Sequence, residues 1–283
     1  MQTKITSASR EVIISETGPT VLIGERINPT GKKKLQAELQ AGSLDLVRRE
    51  AVEQVEAGAD ILDVNVGASG VDEVALLPEA VKAVMEVTDV PLCIDSSNPA
   101  ALEAAVKVYK GRPLINSVNA EAARLDSVLA LVKERDAAVI GLTMDEKGIP
   151  SDPARRVELA HKIIERAESI GIRREDVVMD CLNLPAAANP ESTSTLIAAL
   201  ETVKKELGVN MTLGLSNVSF GLPDRDRLNG MMLAITIYLG VNCPVVDVAK
   251  VRPYILAADA LLGRDQYMRR FIKDFRARQK AAG

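Results

Sequence analysis

Leu92-Cys93-Ile94-Asp95-Ser96-Ser97-Asn98-Pro99 is a short apolar run that ends on a carboxylate and passes at once into a helix start. The run has the composition of a strand buried on both faces. Asn98-Pro99 suits a first helical turn, where proline's missing N–H costs nothing. The same pattern of apolar strand and polar ending recurs at Ile115-Asn116-Ser117, at Met179-Asp180 and at Gly214-Leu215-Ser216-Asn217. Carboxylates and amides are thus placed where a βα unit turns outward and a ligand can reach them.

Working outward from these endings, eight strand candidates emerge, at 21–23, 61–64, 92–94, 114–115, 138–142, 177–179, 211–213 and 245–248. Helical patterns follow them at 44–57, 78–87, 99–109, 122–135, 153–170, 192–207, 225–239 and 253–262. A βα unit every ~35 residues predicts a single-domain α/β protein, a (β/α)8 TIM barrel over residues 21–262, rather than an open sheet of five or six strands. Residues 1–20 form a short N-terminal extension, with weak alternation at 11–15 that suggests a hairpin closing the barrel bottom. Tyr267, Phe271 and Phe275 share one helical face, so residues 263–283 read as a terminal amphipathic helix.

Composition narrows the function. The 283 residues are 47% hydrophobic and 26% charged with a net charge of −4, as expected of a globular protein without a basic footprint. Four tyrosines, three phenylalanines and no tryptophan leave little for base stacking, so nucleic acid is not an expected partner. The sequence has no apolar stretch of membrane-spanning length and no signal-peptide core, so a cytoplasmic location without a membrane partner is expected. Cys93, Cys181 and Cys243 are dispersed and read as buried thiols, and His161 is the one histidine, so no bound metal is expected. Lys32, Lys33 and Lys34 read as a solvated loop face. Thr30-Gly31-Lys32 lacks the spacing and the following Ser or Thr of a phosphate loop.

In a (β/α)8 barrel the ligand lies at the carboxyl ends of the strands. That rule gathers Glu25, Arg26 and Asn28 after strand one, Asp63 and Asn65 at strand two, and Asp95 after strand three. Asn116 and Asn119 follow strand four, Asp180 and Asn183 follow strand six, and Ser216 and Asn217 follow strand seven. A flat heterocycle whose edge mixes N–H donors with ring acceptors would suit this collection, a carboxylate taking two donors while amides complement the rest.

The wording of these endings resembles a known family. It is clearest in Ile23-Gly24-Glu25-Arg26-Ile27-Asn28-Pro29-Thr30-Gly31-Lys32, Asp63-Val64-Asn65-Val66-Gly67 and Cys93-Ile94-Asp95-Ser96-Ser97-Asn98-Pro99. Ile115-Asn116-Ser117-Val118-Asn119 and the most specific segment, Gly214-Leu215-Ser216-Asn217-Val218-Ser219-Phe220-Gly221-Leu222-Pro223, extend it over nearly the whole chain. The chain looks like the methyltetrahydrofolate:corrinoid protein methyltransferases, and is similar to the folate domain of cobalamin-dependent methionine synthase. The resemblance implies methyltetrahydrofolate or tetrahydrofolate as substrate, a corrinoid supplied by a separate protein, and a homodimer. It implies that Asp95, Asn116 and Asp180 hold the pterin and that Asn217 is a mobile amide near N5. Two alternatives stand beside it. One is a dihydropteroate synthase-like pterin enzyme, a family with a Ser-Arg-Lys type segment where this chain has Ser216-Asn217-Val218. The other is a non-catalytic folate-binding subunit, which would need no group at N5.

Overall fold

A computed structural model describes residues 1–282 of the chain. Eight parallel strands follow one another around a barrel: β3 (Ile23–Ile27), β4 (Ile61–Val64), β5 (Leu92–Asp95), β6 (Leu114–Asn119), β7 (Ala138–Leu142), β8 (Val177–Asp180), β9 (Met211–Thr212) and β10 (Val245–Val246). β10 pairs with β3, and the ring closes between β9 and β10 where the Val245 N–H donates to the Leu213 carbonyl at 3.0 Å. The fold is the (β/α)8 barrel that the βα period predicts.

Alternation along the strands divides the core in two. Leu62, Val64, Leu92, Ile94, Ile115, Val139, Val177 and Met179 face outward into the layer shared with the helices. Ile23, Ile61, Cys93, Leu114, Ala138, Ile140 and Val178 face inward and fill the lower barrel. The surrounding helices are α2 (Asp45–Glu56), α3 (Glu73–Val87), α4 (Pro99–Val108), α5 (Ala122–Glu134), α6 (Pro153–Ser169), α7 (Ser192–Leu207), α8 (Arg225–Tyr238) and α9 (Val248–Leu261). Asn98 and Asp152 cap α4 and α6 by accepting the N–H groups of Ala100 and Ala154, each at 3.0 Å, with proline at the first helical position.

Several boundaries differ from the sequence reading, each for a local reason. Strand one begins at Ile23 rather than ending there. Thr20 is pinned by Asp259, its N–H at 2.9 Å and its hydroxyl at 2.7 Å, and the Leu22 N–H donates to Asp60 at 2.9 Å. Side chains thus satisfy the segment before β3, and the ladder starts later, carrying Glu25 and Arg26 within the strand. α3 starts at Glu73 and α9 at Val248, so Pro78 and Pro253 lie inside helices instead of opening them. At α3 the Asp72 carboxylate supplies the start by accepting from Val74 and Ala75. Residues 33–40 form an additional helix, α1 (Lys33–Gln40), because Leu35 and Leu39 bury one face of it.

The C-terminal segment is also shorter than expected. Tyr267 and Met268 take left-handed φ values of 56° and 53°, so α10 (Arg269–Ala282) begins after them and Tyr267 stays 76% exposed. Gly283 lies outside the described residues.

At the opposite end from the strand termini, β1 (Gln2–Thr6) and β2 (Glu11–Ser15) form an antiparallel hairpin. Ile5, Val12 and Ile14 from the hairpin join the inward-facing cluster and floor the barrel. Polar clips hold it there: Asn210 Nδ2 donates to Thr3 Oγ1 (2.8 Å) and to the Ile14 carbonyl (3.0 Å), and the Tyr109 hydroxyl donates to the Thr6 carbonyl (2.9 Å). Ile14 is completely buried, so Ile14→Ala is expected to lower stability by about 2–4 kcal/mol. Urea unfolding should show this as a lower midpoint at an unchanged slope.

Candidate active site

Continuing the inward alternation one step toward the carboxyl ends replaces aliphatic side chains by polar ones. Glu25 follows Ile23, Asp63 follows Ile61, Asp95 follows Cys93, Asn116 follows Leu114 and Asp180 follows Val178. These side chains form a polar layer above the apolar barrel interior, and their contacts span the strands. Asn116 Nδ2 donates to Asp63 Oδ1 at 3.1 Å, Asn65 Nδ2 donates to Asp95 Oδ2 at 2.8 Å, and the Ser216 hydroxyl donates to Glu25 Oε1 at 2.7 Å.

Burial sets the electrostatics of this layer. Asp180 is pushed up to about 6 by desolvation, against the opposing pull of the Leu182 and Gly214 N–H groups. The Leu182 bond is 2.7 Å long. Asp63 is likewise raised to about 6 by burial, opposed by hydrogen bonds from Asn116 and Cys93. Asp95 is held well above the usual carboxylate range by burial first and by the neighbouring Asp63 charge second, although the Asn65 amide works against both. Burial also raises Glu25. Concentrating acidic groups without enough partners costs stability, and such a cost is typical where a site must receive donors from a ligand.

Asn217 stands apart from this crowding. It lies on the 3₁₀ turn Leu215–Ser219 that follows β9, it is exposed, and among the described residues its side chain has no hydrogen-bond partner. A Cβ placed on Gly214 would lie 3.4 Å from Asn217 Nδ2. The amide therefore lies against Gly214, the residue whose N–H bonds Asp180.

The remaining candidates have partners within the chain. Arg26 turns outward to Glu50 (3.2 Å) and Asp247 (3.7 Å), and Asn28 Oδ1 accepts the Thr30 N–H at 2.9 Å. Asn119 accepts the Glu121 N–H at 3.1 Å at the start of α5, and Asn183 Nδ2 donates to the Leu215 carbonyl at 2.9 Å, bracing the turn that carries Asn217. Lys32 is half-buried and donates to the Arg26 carbonyl at 2.7 Å instead of lying free on a loop.

Two arginines that the sequence does not point to complete the mouth. Arg124 donates to the Ser96 (3.1 Å) and Ser117 (2.9 Å) carbonyls and so clips together the chain after Asp95 and the strand carrying Asn116. Arg156, 1% exposed, donates to the carbonyls of Pro150 (2.8 Å), Cys181 (2.7 Å) and Leu182 (2.7 Å) and fixes the chain leaving Asp180. Each arginine sits in the first turn of a helix, indistinguishable in sequence from a solvated charge. Among the described residues no three His, Cys, Asp or Glu side chains are grouped to hold a metal ion, and no helix is long and apolar enough to cross a membrane.

Known proteins resemble this chain. Residues 24–247 match the family described as pterin binding enzyme. The chain is 31% identical over 264 residues to methylcorrinoid:tetrahydrofolate methyltransferase of Eubacterium limosum, covering 90% of this chain and 96% of that one. It is 30% identical over 262 residues to methionine synthase of Mycobacterium tuberculosis, covering 88% of this chain but 22% of that longer protein. Similar solved structures include dihydropteroate synthase from Xanthomonas albilineans in complex with 7,8-dihydropteroate (TM-score 0.68, 22% identity, 92% of this chain and 98% of that one). Another is the Yersinia pestis dihydropteroate synthase bound to a pterin–sulfa conjugate (TM-score 0.71, 18% identity, 92% and 98%). At those identities the solved structures speak for the barrel alone, whereas the family match and the methyltransferase span the polar layer as well. The chain belongs to the pterin-binding enzyme family, on the branch of the methyltetrahydrofolate:corrinoid protein methyltransferases.

Proposed function

We propose that this enzyme moves the N5 methyl group between methyltetrahydrofolate and the cobalt of a corrinoid carried by a separate protein. Asp95, Asn116 and Asp180 hold the pterin, and Asn217 assists at N5. The observation that carries this reading is the juxtaposition of a buried acceptor layer with one unengaged amide at its rim. Asp95 and Asp180 suit the N–H donors of a pterin edge, and Asn217 suits a group that must act only when charge develops.

N5 is a tertiary amine and a poor leaving group until positive charge on it is stabilised. In the forward transfer the cobalt(I) electron pair forms the new bond to the methyl carbon. The C–N5 bond breaks with its pair returning to N5, and a proton taken up there yields tetrahydrofolate. Cobalt is oxidised by two electrons as the methyl cation equivalent is reduced. A donor aimed at N5 bonds more strongly as the proton arrives, so it lowers the barrier in both directions. The name of the Eubacterium limosum relative writes the transfer toward tetrahydrofolate, which makes methyl return to the folate the direction to test beside the forward one.

A pterin–aryl amine condensation has the shared barrel behind it but finds Asn217 in the segment after strand seven. A purely binding subunit leaves the free amide without a role. Leu228, Met231, Ile235 and Tyr238 are exposed along one side of α8, which supports a homodimer through that helix. The pterin-binding unit is assigned to residues 21–262, with 1–20 as its floor and 263–283 as an appended C-terminal segment. The test mixes the protein with methyltetrahydrofolate and photoreduced cobalamin, free or carrier-bound, and follows loss of the cobalt(I) spectrum. Conversion to methylcobalt(III) is expected, and tight folate binding with no conversion on either corrinoid would overturn the methyltransferase reading.

A further inference from the structure

We infer that Asp63 sets the recognition code of the pterin pocket from behind, acting as a positioning residue that commits the Asn116 side-chain oxygen to the ligand. The inference rests on the folate reading above and adds a specificity determinant to it. Asp63 is 3% exposed and lies below the residues that a ligand would meet. In the ladder it registers with Cys93 on β5, and it reaches past that strand to β6, where it takes Asn116 Nδ2 at 3.1 Å.

A carboxylate offers acceptors only, so the amide beside it must present its nitrogen. An asparagine in an open pocket can rotate its amide and offer either a donor or an acceptor. Asn116 cannot, because turning its amide over would set its oxygen against the Asp63 carboxylate, so one of its two N–H groups stays on Asp63 and its oxygen is left for the ligand.

Asn65 follows the same logic one layer nearer the rim. Its Oδ1 accepts the Gly67 N–H at 2.8 Å, which turns its Nδ2 onto Asp95 Oδ2 at 2.8 Å and leaves the other Asp95 oxygen open. Asp180 has Oδ1 on the Leu182 N–H and a further bond from Gly214. The deep pocket therefore offers mainly acceptors, with the second Asn116 N–H left as a donor. The matching ligand edge is a heterocycle that presents N–H and amino donors beside a ring acceptor. The sequence alone leaves open which way the Asn116 amide faces, and the Asp63 carboxylate fixes it.

The test is isothermal titration with tetrahydrofolate of the wild type, Asp63→Asn and the double variant Asp63→Asn with Asn116→Asp, with thermal unfolding of each. In Asp63→Asn the amide introduced at position 63 would turn its own N–H toward residue 116 and free the Asn116 amide to present nitrogen to the ligand, donor against donor. A loss of ~30- to 100-fold in affinity is expected, in a protein at least as stable as the wild type because a buried charge has gone. In the double variant the new carboxylate at position 116 accepts from the amide at position 63 and still shows an acceptor to the mouth. Partial recovery, of ~10-fold over the single variant, is expected, because the acceptor returns without the second N–H of the native amide. Unchanged affinity in Asp63→Asn, an unfolded Asp63→Asn, or a double variant that stays as weak as the single one would each overturn the inference. A wild type that does not bind tetrahydrofolate would sink the folate reading itself, and that result is visible before any variant is compared.

Discussion

Asn217→Ala is expected to slow methyl transfer to cobalt(I) by about 10²–10³-fold while folate affinity stays within ~3-fold of wild type, since one donor aimed at developing charge has about that effect. The Asn217 amide has no partner to lose among the described residues, and the turn that carries it is held by other groups. Asn183 braces the Leu215 carbonyl, and Arg225 donates to Ser219 Oγ and to the Ser216 carbonyl, each at 3.0 Å. Truncation at Cβ should therefore leave the turn and the acceptor layer in place. Ground-state methyltetrahydrofolate has little charge at N5, so binding barely registers the missing amide, while the transition state does. Single-turnover spectroscopy alongside equilibrium titration separates the two effects. A variant that binds weakly but transfers at the wild-type rate once saturated would reassign Asn217 to binding.

Asp180→Asn is expected to do the converse, weakening folate binding by ~100-fold with a smaller effect on the rate at saturation, because a charged acceptor of ligand N–H groups is replaced by an amide. The same substitution should stabilise the empty protein, with a defined pH dependence. The Asp180 carboxyl ionises at about 6 in the folded chain against an ordinary value of 3.8. Between those values the folded state holds a proton that the unfolded state has released, so raising the pH destabilises the fold through this group. The penalty is absent below about 4, grows through the window, and is complete above about 6. At neutral pH it amounts to as much as ~3 kcal/mol. Unfolding midpoints of wild type and Asp180→Asn should therefore converge near pH 4 and separate above pH 6, with the variant the more stable. Equal midpoints at pH 8 would show that Asp180 carries no such cost. The opposite directions of the two effects would mark a residue that gives up stability for ligand binding.

The expected lengths of several elements give way to tertiary contacts at identifiable residues. Pro78 and Pro253 look like helix openings because proline is favoured there. Yet Asp72 captures two N–H groups and starts α3 earlier, so Pro78 falls inside the helix. Tyr267, Phe271 and Phe275 have helical spacing, but left-handed backbone at Tyr267 and Met268 separates the first from the other two. Arg26 and Asn119 stand at strand ends as a ligand-binding residue would, and their nearest partners belong to the framework.

What the sequence determined by itself is periodic or local. The βα spacing specifies the barrel, strand alternation specifies which residues point inward, and the motif wording names the branch of the family. These signals survive in one dimension because side-chain direction repeats every two residues in a strand and every 3.6 in a helix. What only the tertiary structure decided is partnership. Asp63 meets Asn116 from 53 positions away, Glu25 meets Ser216 from 191 away, and Arg124 and Arg156 leave ordinary helix turns to clamp the carbonyls that end the strands. A hydrogen bond depends on direction at about 3 Å, and no spacing along the chain encodes which face of an amide a distant carboxylate will claim.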